Sequence, residues 1–289
     1  MCDDDIHVGA IDDNLSRRAF SALTAGAAAL AATAVPMGAW AADVVEKDVD
    51  VKTPDGTADA ALFYPAGKGT WPAVLIWTDI AGLRPAFRDM GRRLAAQGYV
   101  VLVPNPFYRS VHGVVAQPGF DFNNPDDRKR VFGYRAAMSD PGVDGDSKAY
   151  VAFLDAQPQT NKKKKVGVQG YCMGGPLTFR TAAAVPGRIG AAATFHGGGL
   201  VTKEANSPHL LIPTTKASFA CCVAQNDDKN QPEAKDVLRK AFADAKREAY
   251  VEVYPANHGW CVPGSAVYDQ ASAEKAWGVL TDLYKKNLA

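Results

Sequence analysis

The chain has 289 residues, 47% hydrophobic and 22% charged, with a formal net charge of +1. That is enough apolar material for a sizeable core, in one large α/β domain or two small ones. A near-neutral balance, with Lys and Arg scattered along the chain, excludes a basic nucleic-acid binder and gives no reason to expect an acidic membrane surface as a partner.

The first stretch reads as targeting, not fold. Arg17 and Arg18 follow Ser16, Phe20 stands two positions after Arg18, and an Ala-rich run leads to the A-x-A pattern Ala39-Trp40-Ala41. This resembles a twin-arginine export signal. The run is weakly hydrophobic and broken by Pro36, so it is not expected to span a membrane. The expected organisation is a signal over residues 1–41 and one domain over 42–289, in the periplasm or secreted. Cys2 would leave with the signal. Cys172, Cys221, Cys222 and Cys261 would stay, and because Cys221 and Cys222 are adjacent the set is compatible with one disulfide or none.

After the signal, residues 43–56 alternate as a strand ending in a Pro-Asp-Gly turn, with 58–67 as its hairpin partner. Residues 73–79 form a buried strand, 86–98 a helix closed by Gly98, and 99–107 another strand. The pattern weakens from 108 to 145, with a helical piece at 126–138. Helix 145–157, strand 162–170, helix 174–185, strand 189–197, strand 217–226, helix 232–246, strand 249–255 and an amphipathic helix 270–288 complete the chain. The Lys162–Lys165 run reads as a solvated lead-in to a buried strand. Strands alternating with helices predict an α/β fold with a mostly parallel sheet covered on both faces.

In such sheets, reactive groups collect at the carboxyl ends of strands. "VGVQGYCMGGPLTF", residues 166–179, places Cys172 at one of those ends, on the turn into a helix. Gly170, Gly174 and Gly175 remove side chains that would collide there. This is the G-x-nucleophile-x-G elbow with Cys in place of Ser. The sulfur would lie near a helix N-terminus, whose partial positive charge favours an anion, and the Met173 N–H would face a developing oxyanion. A buried structural cysteine is the plainer alternative. The remaining members should follow in the order acid, then histidine. "AQNDDKNQP" supplies Asp227 and Asp228 just past a strand, and "YPANHGWCV" supplies His258 past the last one. Asp227 is preferred over Asp228, although either could reach the imidazole.

"GYCMGG", the Asp-rich loop and "HGW" together resemble the dienelactone hydrolase (carboxymethylenebutenolidase) family of α/β-hydrolases, over nearly all of the expected domain. The resemblance implies Cys172 as nucleophile, His258 as general base and then acid, and Asp227 as its orienting carboxylate. It also implies a carboxylate contacting the resting thiol, at Asp79, and a second oxyanion N–H from Ile80. Of the two arginines that hold a carboxylate in the family, the first matches Arg109 and the second falls on Val262. Trp77, Phe107, Tyr108 and Trp260 stand near strand ends, so a more apolar substrate pocket with Trp260 in its lining is expected.

"FHGGG" (195–199) looks like a lipase oxyanion motif but comes after the nucleophile, so it reads as a glycine-rich loop lining the site through His196. No spaced ligand cluster implies a metal, and no cofactor is implied. The expected partner is a small ester or lactone, with no nucleic acid, no membrane once the signal is removed, and a monomer as the simplest state. Two rival readings are a hydrolase fold used only for binding and a redox thiol, the latter weakened by the lack of C-x-x-C.

Overall fold

The structure, a computed structural model, describes residues 43–117 and 119–288. The expected export signal lies outside the described residues. Strands β1 (Val44–Thr53) and β2 (Gly56–Pro65) pair antiparallel around the Pro54-Asp55 turn. The rest alternate: β3 (Ala73–Trp77), α1 (Pro85–Ala96), β4 (Val100–Pro104), α2 (Pro125–Ala136), α3 (Asp140–Ala156), β5 (Val166–Tyr171), α4 (Gly174–Ala184), β6 (Ile189–Phe195), β7 (Ser218–Ala224), α5 (Gln225–Asn230), α6 (Ala234–Asp244), β8 (Ala249–Tyr254) and α7 (Gln270–Asn287).

The strands form one eight-stranded sheet in the order β1-β2-β4-β3-β5-β6-β7-β8. β2 meets β4 antiparallel, and from β4 to β8 every pairing is parallel. Because both faces are covered, the inner strands are apolar throughout and their alternation sorts residues between two cores. Val74 and Ile76 pack with Phe87, Leu94, Leu280 and Tyr284 of α1 and α7. Leu75 and Trp77 face the other core with Tyr150, Leu177, Phe179 and Phe242, from α3, α4 and α6.

Three features differ from the sequence reading. The acidic stretch after β7 is a helical turn, α5, not a loop. A 3-10 turn spans Pro208–Thr214, where no element was expected. Helix α3 starts at Asp140, before the expected 145, because the Ser139 Oγ accepts from the Gly142 N–H at 3.2 Å and Pro141 is tolerated in a first turn. Cys172, Cys221, Cys222 and Cys261 are all free thiols, and the last three are buried. Among the described residues no helix is long and apolar enough to cross a membrane.

Since β3 and β5–β8 run parallel, their carboxyl ends share one edge. The segments leaving that edge after β3, β5, β6, β7 and β8 carry Asp79 and Ile80, Cys172, His196, Asp227 and His258 respectively.

Candidate active site

Cys172 sits between β5 and α4 with φ of 52°, a left-handed conformation that a side-chain-bearing residue adopts only under constraint. The constraint is visible. Its N–H donates to the Phe195 carbonyl at 3.1 Å, and its carbonyl accepts from Gly175 N–H at 3.0 Å. A Cβ on Gly170 would fall 2.0 Å from the Gly174 carbonyl oxygen, so strand and helix can close on each other only at glycine. One on Gly174 would fall 2.7 Å from the Trp77 and Thr78 carbonyl oxygens, so the elbow lies directly against the end of β3.

Two segments bring the histidine. Helix α5 is stitched to the loop after β8: the Gln225 N–H donates to the Ala256 carbonyl at 3.0 Å, and the His258 N–H donates to the Asn226 Oδ1 at 2.8 Å. The His258 Nδ1 then meets the Asp227 Oδ2 at 2.7 Å. Asp228 is turned away, with its carboxylate on Lys235 Nζ at 2.6 Å. Of the adjacent acids, Asp227 is the one that reaches the imidazole.

The other ring nitrogen, Nε2, is buried without a conventional hydrogen-bond partner. Cys172 and Asp227 are the groups whose charges favour a charged His258 ring. Burial opposes a charge on His258, yet its pKa is held well above the ordinary value because the sulfur and the Asp227 carboxylate favour imidazolium more strongly. Neither the Met173 nor the Ile80 N–H donates to a protein acceptor among the described residues. Both flank the elbow, Met173 in it and Ile80 two residues past the Thr78 carbonyl that Gly174 approaches.

His196, also in a left-handed conformation at φ of 39°, stands against His258 with ring centroids 4.8 Å apart, edge to face. It is 1% exposed, and both of its nitrogens are buried without partners. Burial, and then repulsion from His258, push its pKa well below the ordinary value, so it stays neutral.

Three sequence expectations need correction. Asp79 is committed elsewhere: its Oδ1 and Oδ2 take the Arg84 guanidinium at 2.6 and 2.7 Å, and Oδ1 also accepts from Ala81 N–H at 3.0 Å. Its partners do not include Cys172, because the shorter side chain is captured by its own loop. Arg109 is spent on structure. Its guanidinium bridges Asp55 at 2.6 Å and the fully buried Asp146 at 2.7 Å, and lies over the Tyr108 ring. Trp260 is fully buried, stacked on Tyr254 with centroids 4.7 Å apart, and edges His196 from behind, so it backs the site without lining a pocket. Trp77 is likewise core, its indole N–H donating to Thr181 Oγ1 at 2.9 Å. Sequence reasoning missed Asn226 and Arg84. Asn226 adjoins the chosen acid, whereas nothing local marks Arg84.

The sequence profile of the dienelactone hydrolase family matches residues 58–288. A carboxymethylenebutenolidase of Pseudomonas putida is 29% identical over 173 residues, covering 59% of this chain and 69% of its own. That of Pseudomonas sp. strain P51 is 28% identical over 234 residues, covering 80% of this chain and 91% of its own. A solved structure assigned as a dienelactone hydrolase, from Klebsiella pneumoniae subsp. pneumoniae, superposes with a TM-score of 0.72 at 23% identity, covering 84% of this chain and 99% of its own. With its mostly parallel sheet and this profile match, the chain belongs to the dienelactone hydrolase family and is an ester- and lactone-class hydrolase of the α/β-hydrolase fold.

Proposed function

We propose that the protein hydrolyses small activated esters or lactones through a Cys172–His258–Asp227 triad and an acyl-thiol intermediate. The observation that carries this is the buried imidazole of His258, held on Asp227 at 2.7 Å and coupled to Cys172 at a strained elbow. The Cys172 thiol gives its proton to the His258 ring as its sulfur attacks the substrate carbonyl carbon. The oxyanion forms against the N–H groups of Met173 and Ile80. The C–O bond then breaks, and the leaving oxygen takes the proton from the His258 imidazolium. A water gives its proton to the same ring and attacks the thioester, releasing the acid and restoring the thiol.

The substrate is an uncharged ester or lactone. Arg109 is consumed by Asp55 and Asp146, and the second arginine position of the family is the buried Val262, so the family's carboxylate grip is absent. A bidentate guanidinium clamp contributes charge-assisted bonds that nothing at these positions replaces. Arg17, Arg18 and the A-x-A pattern support export by the twin-arginine route into the periplasm.

The test is a panel of neutral and carboxylate-bearing esters and lactones run on the wild type, Cys172→Ala and His258→Ala. Both substitutions are expected to lower kcat by at least about 10⁴-fold, with circular dichroism unchanged. Undiminished turnover by Cys172→Ala would sink the reading. Preference for carboxylate-bearing substrates would sink its substrate class.

A further inference from the structure

The loop after β3 is wound around one ion pair. Asp79 takes both terminal nitrogens of Arg84, at 2.6 and 2.7 Å, with the two side chains only 13% and 11% exposed. The same carboxylate accepts the Ala81 N–H at 3.0 Å, and the Asp79 carbonyl accepts the Gly82 N–H at 3.0 Å. Arg84 closes the ring by donating to the Gly82 carbonyl at 3.3 Å. Its guanidinium lies 4.9 Å from the centroid of Phe87, a fully buried residue in the first turn of α1. Arg84 therefore ties the loop to the core at the start of α1. The Ala81 and Gly82 N–H groups are spent inside the turn, while that of Ile80, between them and Asp79, is not.

We propose that Asp79 and Arg84 are positioning residues for the oxyanion site, their ion pair holding residues 79–82 in the turn that aims the Ile80 N–H at the carbonyl oxygen of a substrate on Cys172. The proposal rests on the acyl-transfer reading above and assigns the Asp79 carboxylate to loop shape, not to the thiol. A bidentate guanidinium suits the task, since it fixes orientation as well as distance. The Gly174 approach to the Thr78 carbonyl then sets that turn beside the elbow.

Two chemistries at the same sulfur separate the possibilities. Hydrolysis of p-nitrophenyl acetate builds an oxyanion. Alkylation by iodoacetamide does not: the sulfur displaces iodide from a methylene carbon and no negative oxygen forms. Arg84→Met and Asp79→Asn are expected to lower kcat for the ester about 10- to 100-fold, less than outright loss of an oxyanion donor. KM should stay within about 3-fold, the signature of an interaction made only in the transition state. The alkylation rate at Cys172 should stay within about 2-fold, and Arg84→Lys, which keeps the charge without the fork, should recover part of kcat. Asp79→Asn is nearly isosteric and keeps an oxygen for Ala81, so the proposal stands or falls on it should Arg84→Met not fold. Alkylation falling in step with kcat would show the pair acting on the thiol, and unchanged kcat would show the turn holding without it; either overturns the proposal. A wild type without Cys172-dependent turnover would instead sink the functional reading.

Discussion

Two buried ionic clusters stand at the carboxyl edge of this sheet, and they differ in what they leave unspent. Around Arg109 the charges are paired: the guanidinium bridges Asp55 and Asp146, and the Tyr108 hydroxyl also donates to Asp146, at 2.7 Å. Around His258 the pairing stops halfway, with Nδ1 on Asp227 and Nε2 buried without a hydrogen-bond partner. Satisfied buried charges rigidify, whereas an unsatisfied group is costly to bury and persists where something else uses it. Arginine at a strand end is thus no evidence of a substrate clamp until its donors are counted.

Substitutions that make each cluster resemble the other test this contrast. The largest effect is expected at Asp227. Replacing it with Asn, which removes the charge that orients imidazole and stabilises imidazolium, should lower kcat about 10²- to 10⁴-fold. Asp228→Asn, which only frees Lys235, should stay within about 2-fold. Steady-state kinetics on an ester decides, and similar losses in both would break the assignment of the acid.

Next comes Arg109→Met. It should cost about 3 kcal/mol in urea unfolding, because Asp146 is left as a fully buried carboxylate with only Tyr108 to pair it. KM for a carboxylate-bearing ester should not move, and a several-fold rise would restore Arg109 to substrate binding.

The smallest effect concerns His196→Phe. His196 is held neutral in the fold by burial and by His258, while in the unfolded chain it takes up a proton below about pH 6.5. The unfolded state then binds more protons, so wild-type stability falls by up to about 1.4 kcal/mol per pH unit as the pH drops through that region. The Phe variant lacks this contribution. The raised pKa of His258 has the opposite sign, its contribution being lost as pH rises through the folded value, and is present in both proteins. Urea midpoints at pH 7.5 and 5.5 should therefore converge or cross, and parallel curves would show that His196 titrates normally.

Much of the fold was legible because its signals are local. Apolar runs of strand length, Gly98 after α1 and the β1–β2 turn at Pro54-Asp55 each act within a few residues. The elbow was legible for a similar reason: Gly170 and Gly174 are demanded by collisions within a single strand-to-helix corner. Helix α5 was not, because "QNDDKN" carries turn formers and no apolar face, and its bonds run to the loop after β8.

The sequence alone determined the order of the strands and of the longer helices, the cysteine at the elbow and the Cys–Asp–His order along the chain, since these depend on residue type and short spacing. Only the tertiary structure decided which of two adjacent acids meets His258, that Asp79 belongs to Arg84, that Arg109 belongs to Asp146, and that His196 is packed against the imidazole. The physical reason is common to all four. Each is a choice among partners of equal chemistry, and such choices are settled by which groups the parallel sheet brings within hydrogen-bond or van der Waals reach, a matter of distance in space that spacing along the chain does not encode.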